Sequence, residues 1–357
     1  MIYPYKYLKN HGIEKLHKYI KFFFYEMYKS KDKRFSLSVI HTDFKSLART
    51  KDTLLLTPMK LIYKEFKALS VDEQKIIYKA FKTNNAISSL CKGDKIPLKY
   101  SMLGTEYEAF KQAIKPFFSN LYTEVISKNI FSSQLDHFIK FRKQNKNATI
   151  CPFCGLVSLL SEDDGKDGKK DDYDHWLSKG KYPFNSVNFK NLVPMCGHCN
   201  QKYKSQEDTL FELDAANNLR RRKVFYPYDT SLNFDAISVS IDDSAKKGLK
   251  NSSWKIKLNG PLIYREQIES WEKIFDIKDR YKNRIKSKYA KTWYEPMINL
   301  YKKKKVKTGF NFNDFKTEIY DGIRPFHLQE SSILERAYYD FFFSDVDCEK
   351  NLNAITT

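Results

Sequence analysis

Long apolar runs are missing from this chain of 357 residues. No stretch approaches the roughly 18 consecutive apolar residues of a membrane-spanning helix, and the aromatic runs at residues 22–24 and 341–343 lie inside charged helical patterns. Residues 1–10 also lack the apolar h-region of a signal peptide. We therefore expect a cytoplasmic protein with no membrane partner. In the reducing cytoplasm, paired cysteines are more often metal ligands than disulfides.

Arginine is scarce, although the chain is strongly basic. Lys and Arg number 63 against 43 Asp and Glu, which gives a net charge of +20, and only 11 of the basic residues are Arg. Such an excess favours a polyanionic partner, most simply nucleic acid. Because lysine is spread almost evenly along the chain, the excess is also typical of the composition of an AT-rich genome. The charge therefore supports a nucleic-acid function without establishing one.

The N-terminal region, residues 1–147, carries helical periodicity. In its first long helix, apolar residues recur at three- and four-residue steps, at Ile13, Leu16, Ile20, Phe23 and Met27. A capping box at residues 70–73 predicts the start of another helix. Gly93 follows a short helix, and Pro116 predicts a break or a kink within residues 106–126. We expect these residues to form a helical domain.

The C-terminal region, residues 211–357, combines strand and helix patterns. Residues 236–241 and 254–258 alternate with period two, which predicts a small antiparallel sheet. Residues 265–305 and 330–343 have the periodicity of amphipathic helices. The sequence therefore predicts an α+β protein that is mostly helical, with a separate central module before the sheet.

The central module, residues 148–210, is bracketed by two Cys-x-x-Cys pairs. The four cysteines are Cys151, Cys154, Cys196 and Cys199. Each pair presents two thiolates from a tight turn, and four thiolates suit one tetrahedral Zn²⁺. Taken alone, the cysteines are equally typical of a zinc ribbon that only folds or binds. An insert rich in Asp, Lys and Gly, residues 161–172, is predicted to be a mobile surface loop.

The residues around these pairs resemble the HNH endonuclease family, the zinc-containing branch of the ββα-metal nucleases. The resemblance covers about a sixth of the chain. It rests on Asp174-His175 after the first pair, on residues 191–194 (Asn-Leu-Val-Pro) before the second, and on Asn200 directly after the last cysteine. It implies a hairpin followed by a helix, in an H-N-N variant. His198 lies near the third position, so that position stays open between His198 and Asn200.

The residue types also fit phosphodiester hydrolysis. The His175 imidazole can take a proton from water as a general base. The Asp174 carboxylate and the Asn200 amide oxygen suit a catalytic Mg²⁺ or Mn²⁺. A regular strand points Asp174 and His175 to opposite faces, so one shared site requires a bulge or a twist. The resemblance implies that Asn191 braces the loop that orients the base.

Basic residues after the predicted catalytic helix are candidate phosphate contacts. They are Lys202, Lys204, Arg220, Arg221 and Arg222. For the arginine run, a solvated helix end is the alternative.

The predicted function is a metal-dependent endonuclease that nicks or cleaves DNA, with structural Zn²⁺ and catalytic Mg²⁺ or Mn²⁺. The alternatives are an RNA-cleaving nuclease and a silent zinc module that binds nucleic acid or a protein. Similar stand-alone proteins are often bacterial anti-phage effectors, and several act beside an ATPase. The chain has no Walker A loop of its own. The resemblance therefore implies a separate ATPase or other regulatory subunit as a partner.

Overall fold

The computed structural model describes residues 1–128, 130–159, 173–205, 207–231, 237–243, 254–286 and 290–356. These residues form an α+β structure in which helices predominate and the antiparallel sheets are two-stranded and small. The loop predicted at residues 161–172 lies outside the described residues. Within the described ranges, every helix is too short or too polar to cross a bilayer.

Helices make up the N-terminal region. They are α1 (Lys15–Lys29), α2 (Thr42–Thr50), α3 (Leu56–Ala68), α4 (Val71–Asn84), α5 (Ile87–Lys92), α6 (Glu108–Asn120) and α7 (Gln134–Gln144). The apolar stripe predicted for α1 is fully buried. The capping box is confirmed, because Ser70 Oγ accepts from Glu73 N while the Glu73 carboxylate accepts from Ser70 N. Gly93 ends α5 in the left-handed conformation that glycine favours.

Pro116 lies inside α6 and does not end it. The helix runs on to Asn120 and then widens into a π-helical turn, Leu121–Val125. Proline removes one backbone donor from the helical ladder, and a π-turn is a common way to accommodate an irregularity. The predicted irregularity is therefore a change of helix type, and it places Tyr122 against the central module.

The C-terminal region contains the predicted sheet. Strands β5 (Ser238–Asp243) and β6 (Trp254–Asn259) pair antiparallel, with Val239 opposite Leu258. The helices are α8 (Arg265–Phe275), α9 (Ile277–Arg284), α10 (Ala290–Lys305), α11 (Phe312–Asp321), α12 (Ser332–Phe343) and α13 (Cys348–Thr356). The helical stretch predicted from residue 265 is interrupted at Asp276, which has a left-handed backbone with φ 51°.

The central module lies between two hydrophobic cores. Its hairpin consists of β1 (Tyr173–His175) and β2 (Leu192–Pro194), paired antiparallel. Leu192 packs into the core of the N-terminal helices, while Val193 packs into the core shared with the C-terminal helices. This split follows from the alternation of side chains along a strand. Both flanking regions therefore fix the position of the hairpin.

The first residues of the chain pack against this module and against residues 227–228 beyond it. Ile2 N donates to Pro152 O at 2.7 Å, and Tyr5 N donates to Pro227 O at 2.8 Å. Ile2 lies close to Gly155: a Cβ atom at position 155 would lie 2.2 Å from the Ile2 side chain. Gly155 also has a φ of +67°, so only glycine fits this turn without strain.

Candidate metal centre and catalytic cleft

The four paired cysteines converge into one buried cluster. Their Sγ atoms all lie within 4.8 Å of one another, and Cys154 Sγ is 3.9 Å from Cys196 Sγ. Four sulfurs at zinc-bond length in a tetrahedron lie about 3.8 Å apart. The cluster could therefore hold a metal ion, and its all-thiolate donor set is compatible with structural Zn²⁺.

Residues from the C-terminal helices support this cluster. The Arg280 guanidinium donates to Cys199 Sγ at 3.5 Å and lies over the Tyr203 ring at 4.1 Å. Trp271 Nε1 donates to Phe153 O at 2.6 Å, and Tyr281 OH donates to Cys154 O at 2.9 Å. A guanidinium beside four thiolates compensates part of their negative charge. The hydrogen bonds to the backbone of the first cysteine pair, residues 151–154, fix the turn of that pair.

A cleft of about 360 Å³ lies between the module and α6. Asp174, His175 and Asn200 all line it, so the structure brings three of the predicted site residues together. Asp174 and His175 both line the cleft although they are neighbours on β1, a three-residue strand that ends at His175. Asn200 lies in the π-helical segment His198–Lys204, and His198 itself is solvent-exposed.

The His175 ring is held in one orientation. Its Nε2 lies 2.8 Å from Ser186 O, and because a carbonyl only accepts, Nε2 carries the proton and Nδ1 keeps a lone pair. Burial lowers the pKa of His175 to about 3, and the ammonium groups of Lys179 and Lys204 act in the same direction. The Tyr122 ring packs edge-on against the imidazole at 4.4 Å. His175 is therefore neutral and oriented.

Asp174 is paired with a buried lysine. Lys204 Nζ lies 2.9 Å from Asp174 Oδ2 and also donates to His175 O at 2.9 Å. Burial raises the pKa of Asp174, and the Lys204 charge opposes that rise. The Lys204 ammonium is thus used inside the module, and a phosphate contact through it would require this pair to open.

Asn191 connects the two loops that frame the cleft. Its Oδ1 accepts from Leu177 N at 2.8 Å, and its Nδ2 donates to Leu177 O and to Asn185 Oδ1, both at 2.9 Å. Asn191 is fully buried. Leu177 follows β1, and Asn185 directly precedes Ser186, whose carbonyl orients His175. The Asn191 side-chain amide therefore connects these two segments.

The other predicted phosphate contacts divide into two groups. Lys202 and Arg220 are exposed. Arg221 donates to the Leu90 and Leu210 carbonyls, while Arg222 is buried and donates to backbone carbonyls of the preceding turn. The run lies on the hairpin of β3 (Phe211–Leu213) and β4 (Leu219–Arg221), so the alternative of a helix end is wrong. The guanidinium groups of Arg221 and Arg222 instead attach this hairpin to its surroundings.

Several residues of the cleft have no signature in the sequence. Lys115 and Phe118 of α6 line it, and Lys179 Nζ lies 4.9 Å from the centre of the Tyr122 ring. Ser186 acts on His175 through its backbone carbonyl, a group that every residue has. Pro116 was the only available sign that α6 becomes irregular close to the cleft.

No relative of this chain was found among known proteins. No family model, no curated protein and no solved structure matches this chain.

Proposed function

We propose that this protein is a metal-dependent endonuclease of the HNH type that hydrolyses phosphodiester bonds in DNA. One observation carries the proposal: a neutral, oriented imidazole shares a cleft with a carboxylate and an amide oxygen. His175, Asp174 and Asn200 supply these groups. Phosphodiester hydrolysis needs an activated water and a counter-charge for the phosphoryl group, and these residue types can provide both.

The orientation of His175 suits a general base. The Ser186 carbonyl occupies Nε2, so a proton from water would be taken up at Nδ1. In the cleft as it stands, the pKa of His175 is about 3, which keeps the ring neutral but makes it a weak base. A phosphate anion beside the ring raises that pKa, because an opposite charge favours the imidazolium. Binding of substrate would therefore strengthen the base.

Asp174 and Asn200 fit a divalent cation by the chemistry of their donors. A carboxylate and an amide oxygen in one cleft are ligands that Mg²⁺ and Mn²⁺ accept while they keep several waters. A cation bound there would neutralise the phosphoryl group and stabilise the leaving oxygen. The Lys204 contact holds the Asp174 carboxylate in place and already compensates part of its charge.

Lysines at the cleft supply the positive charge that a polyanionic substrate needs. Lys115 is exposed and Lys179 is half-buried, and both line the cleft. Lys202 and Arg220 remain exposed candidates for contacts to flanking phosphates. Phosphate contacts carry no base specificity. Target choice must then come from another region or from a regulatory subunit such as an ATPase, within an anti-phage role that the motif implies.

Cleavage of supercoiled plasmid tests the proposal. With zinc-loaded protein we expect nicking in Mg²⁺ or Mn²⁺ and none without a divalent cation. His175→Ala should lower the rate by about 10²–10⁴-fold, the usual contribution of a general base. His198→Ala, at an exposed position two residues before Asn200, is the matched control and should cleave like wild type. A wild-type rate in His175→Ala would refute the mechanism.

Two alternatives are separated by the same experiment. An RNA substrate run in parallel distinguishes an RNA nuclease, because the attacked group is a phosphate in both nucleic acids. A module that binds without cleaving is favoured by one observation: the Lys204 ammonium already neutralises Asp174, as a cation would. Salt-sensitive binding of DNA without cleavage in any cation would support this second alternative.

A further inference from the structure

A second recess lies between α1 and α4, away from the cleft. Its volume is about 340 Å³, within the range of small-ligand sites. It is lined by Lys18, Lys21, Phe22, Tyr25, Tyr78, Phe81 and Lys82. On each helix these residues recur at three- and four-residue steps, so each helix contributes one face. We refer to this recess as the α1–α4 groove.

The floor of the α1–α4 groove is aromatic and firmly packed. Phe81 is 2% exposed and stacks on Phe24, with ring centres 4.2 Å apart and planes 3° from parallel. Tyr78 stacks in the same way on Tyr28, at 4.2 Å and 8°. Tyr25, in contrast, is 45% exposed. The groove therefore offers a flat aromatic side chain to solvent above a rigid base.

The rim of the α1–α4 groove is positively charged. Lys18, Lys21 and Lys82 are exposed, and in the described part of the chain none of the three forms an ion pair. Lys82 Nζ lies 5.4 Å from the centre of the Tyr78 ring. The residues that line the groove include no carboxylate. An occupant that matches this surface combines a flat apolar group with negative charge on either side.

We propose that the α1–α4 groove binds single-stranded nucleic acid, with an unpaired base stacked on Tyr25 and the adjoining phosphates near Lys18, Lys21 and Lys82. A base supplies the flat apolar face and its phosphates supply the charge, which is the usual pairing of surfaces at single-strand sites. A duplex does not fit this pattern, because its bases are stacked on one another and are unavailable to a tyrosine.

The α1–α4 groove adjoins the candidate cleft through one aromatic ring. Phe81 of the groove and Phe118 of the cleft both pack on Phe184, each with ring centres 5.6 Å apart. The buried floor of the groove and the wall of the cleft therefore pack on one shared ring. The inference concerns binding alone, so it does not require the protein to cleave.

Binding of a fluorescein-labelled dT₁₂ oligonucleotide, followed by anisotropy, tests this inference. The full zinc-loaded chain carries His175→Ala and the buffer contains no divalent cation, so failure of the nuclease proposal does not affect the result. We expect Tyr25→Ala to raise the Kd at least about fivefold, the lower end for loss of one stacked base. Lys21→Glu with Lys82→Glu should raise it more than tenfold, about 1.4 kcal/mol or more.

Three controls make the result decisive. Tyr25→Phe keeps the ring and should bind like the parent protein. Lys60→Glu with Lys64→Glu makes the same charge change at two exposed positions of α3 outside the groove, and should change the Kd less than threefold. A dT₁₂ backbone without bases should bind weakly and should not respond to Tyr25→Ala. Equal binding by Tyr25→Ala and the parent, or equal effects of the two double lysine variants, would overturn the inference.

Discussion

Lys204 Nζ lies 2.9 Å from Asp174 Oδ2, and both side chains are almost fully buried. The same ammonium donates to the His175 carbonyl. One cation thus joins the end of the π-helical segment to both residues of the Asp-His dipeptide. Because ions lose much of their hydration when they are buried, each partner of such a pair depends on the other.

Removal of the Lys204 charge should strongly destabilise the protein. Lys204→Met leaves the Asp174 carboxylate buried without a cation, and we expect the free energy of unfolding to fall by about 3–5 kcal/mol. Adding Asp174→Asn to this variant should restore most of the lost free energy of unfolding. If a divalent cation binds Asp174, Mg²⁺ or Mn²⁺ should stabilise Lys204→Met more than wild type. Urea unfolding measures all three effects, and a fully stable Lys204→Met would contradict them.

The cysteine cluster should contain one zinc ion per chain. Elemental analysis should detect it in wild type and should find it lost in Cys199→Ser, because a serine hydroxyl replaces neither the thiolate ligand nor the negative charge beside Arg280. Zinc bound by four thiolates contributes on the order of 10 kcal/mol, so unfolding of this variant should occur at a much lower temperature. Cys348→Ser, at a buried thiol outside the cluster, is the control and should retain its zinc.

Stability should fall as the pH drops below about 6.5. Burial lowers the pKa of His17 from 6.5 to about 4, and Lys21 and Lys190 lower it further. Because the folded-state pKa lies below the unfolded one, the unfolded chain binds the proton first. Stability is therefore complete above pH 6.5 and is lost as the pH falls towards 4, by at most about 1.4 kcal/mol per pH unit.

His175, with its pKa lowered to about 3, should add to the same loss. Urea midpoints at about pH 7.5, 6 and 5 test the trend. His17→Gln should reduce the slope, since it removes one of the two groups. An unchanged slope in His17→Gln would show that His17 is protonated equally in the folded and unfolded states.

Asn191 should matter for both stability and the geometry of the cleft. Asn191→Ala leaves the Leu177 N–H buried without an acceptor, and such a group costs about 1–3 kcal/mol. Asn191→Asp keeps that acceptor but buries a carboxylate against the Leu177 O and Asn185 Oδ1 acceptors, so at neutral pH it should destabilise the protein at least as much as Asn191→Ala. Chemical denaturation provides the measurement. Asn351→Ala, on an exposed face of α13, should have an effect below about 0.5 kcal/mol.

Features governed by local chemistry could be predicted from the sequence. The stripe on α1 is buried because its spacing matches the helical repeat, and the Ser70 box closes within four residues. The cysteine pairs could also be predicted from the sequence, because each Cys-x-x-Cys pair lies in one short turn. That the two cysteine pairs meet in one cluster was implied only by the preference of zinc for four ligands.

The remainder of the site depends on contacts between distant parts of the chain. Lys204 is one of 52 lysines, and nothing in its immediate sequence distinguishes it from the exposed ones. Arg280 follows Cys199 by 81 residues, so its contact with the cluster depends on how the C-terminal helices pack. The sequence did not predict the interruption at Asp276. A left-handed backbone conformation at this aspartate leaves the spacing of the apolar residues on either side unchanged.

The contacts of Ile2 and Tyr5 impose an order on biosynthesis. Pro152 and Pro227, whose carbonyls accept these amides, are synthesised much later than Ile2 and Tyr5. At about 5–20 residues per second, Tyr5 waits roughly 10–45 s for Pro227 to be synthesised. The N-terminal helices contain most of their own core and can fold during this interval. The Ile2 and Tyr5 amides therefore lack their native acceptors until the central module and the residues after the β3–β4 hairpin have emerged.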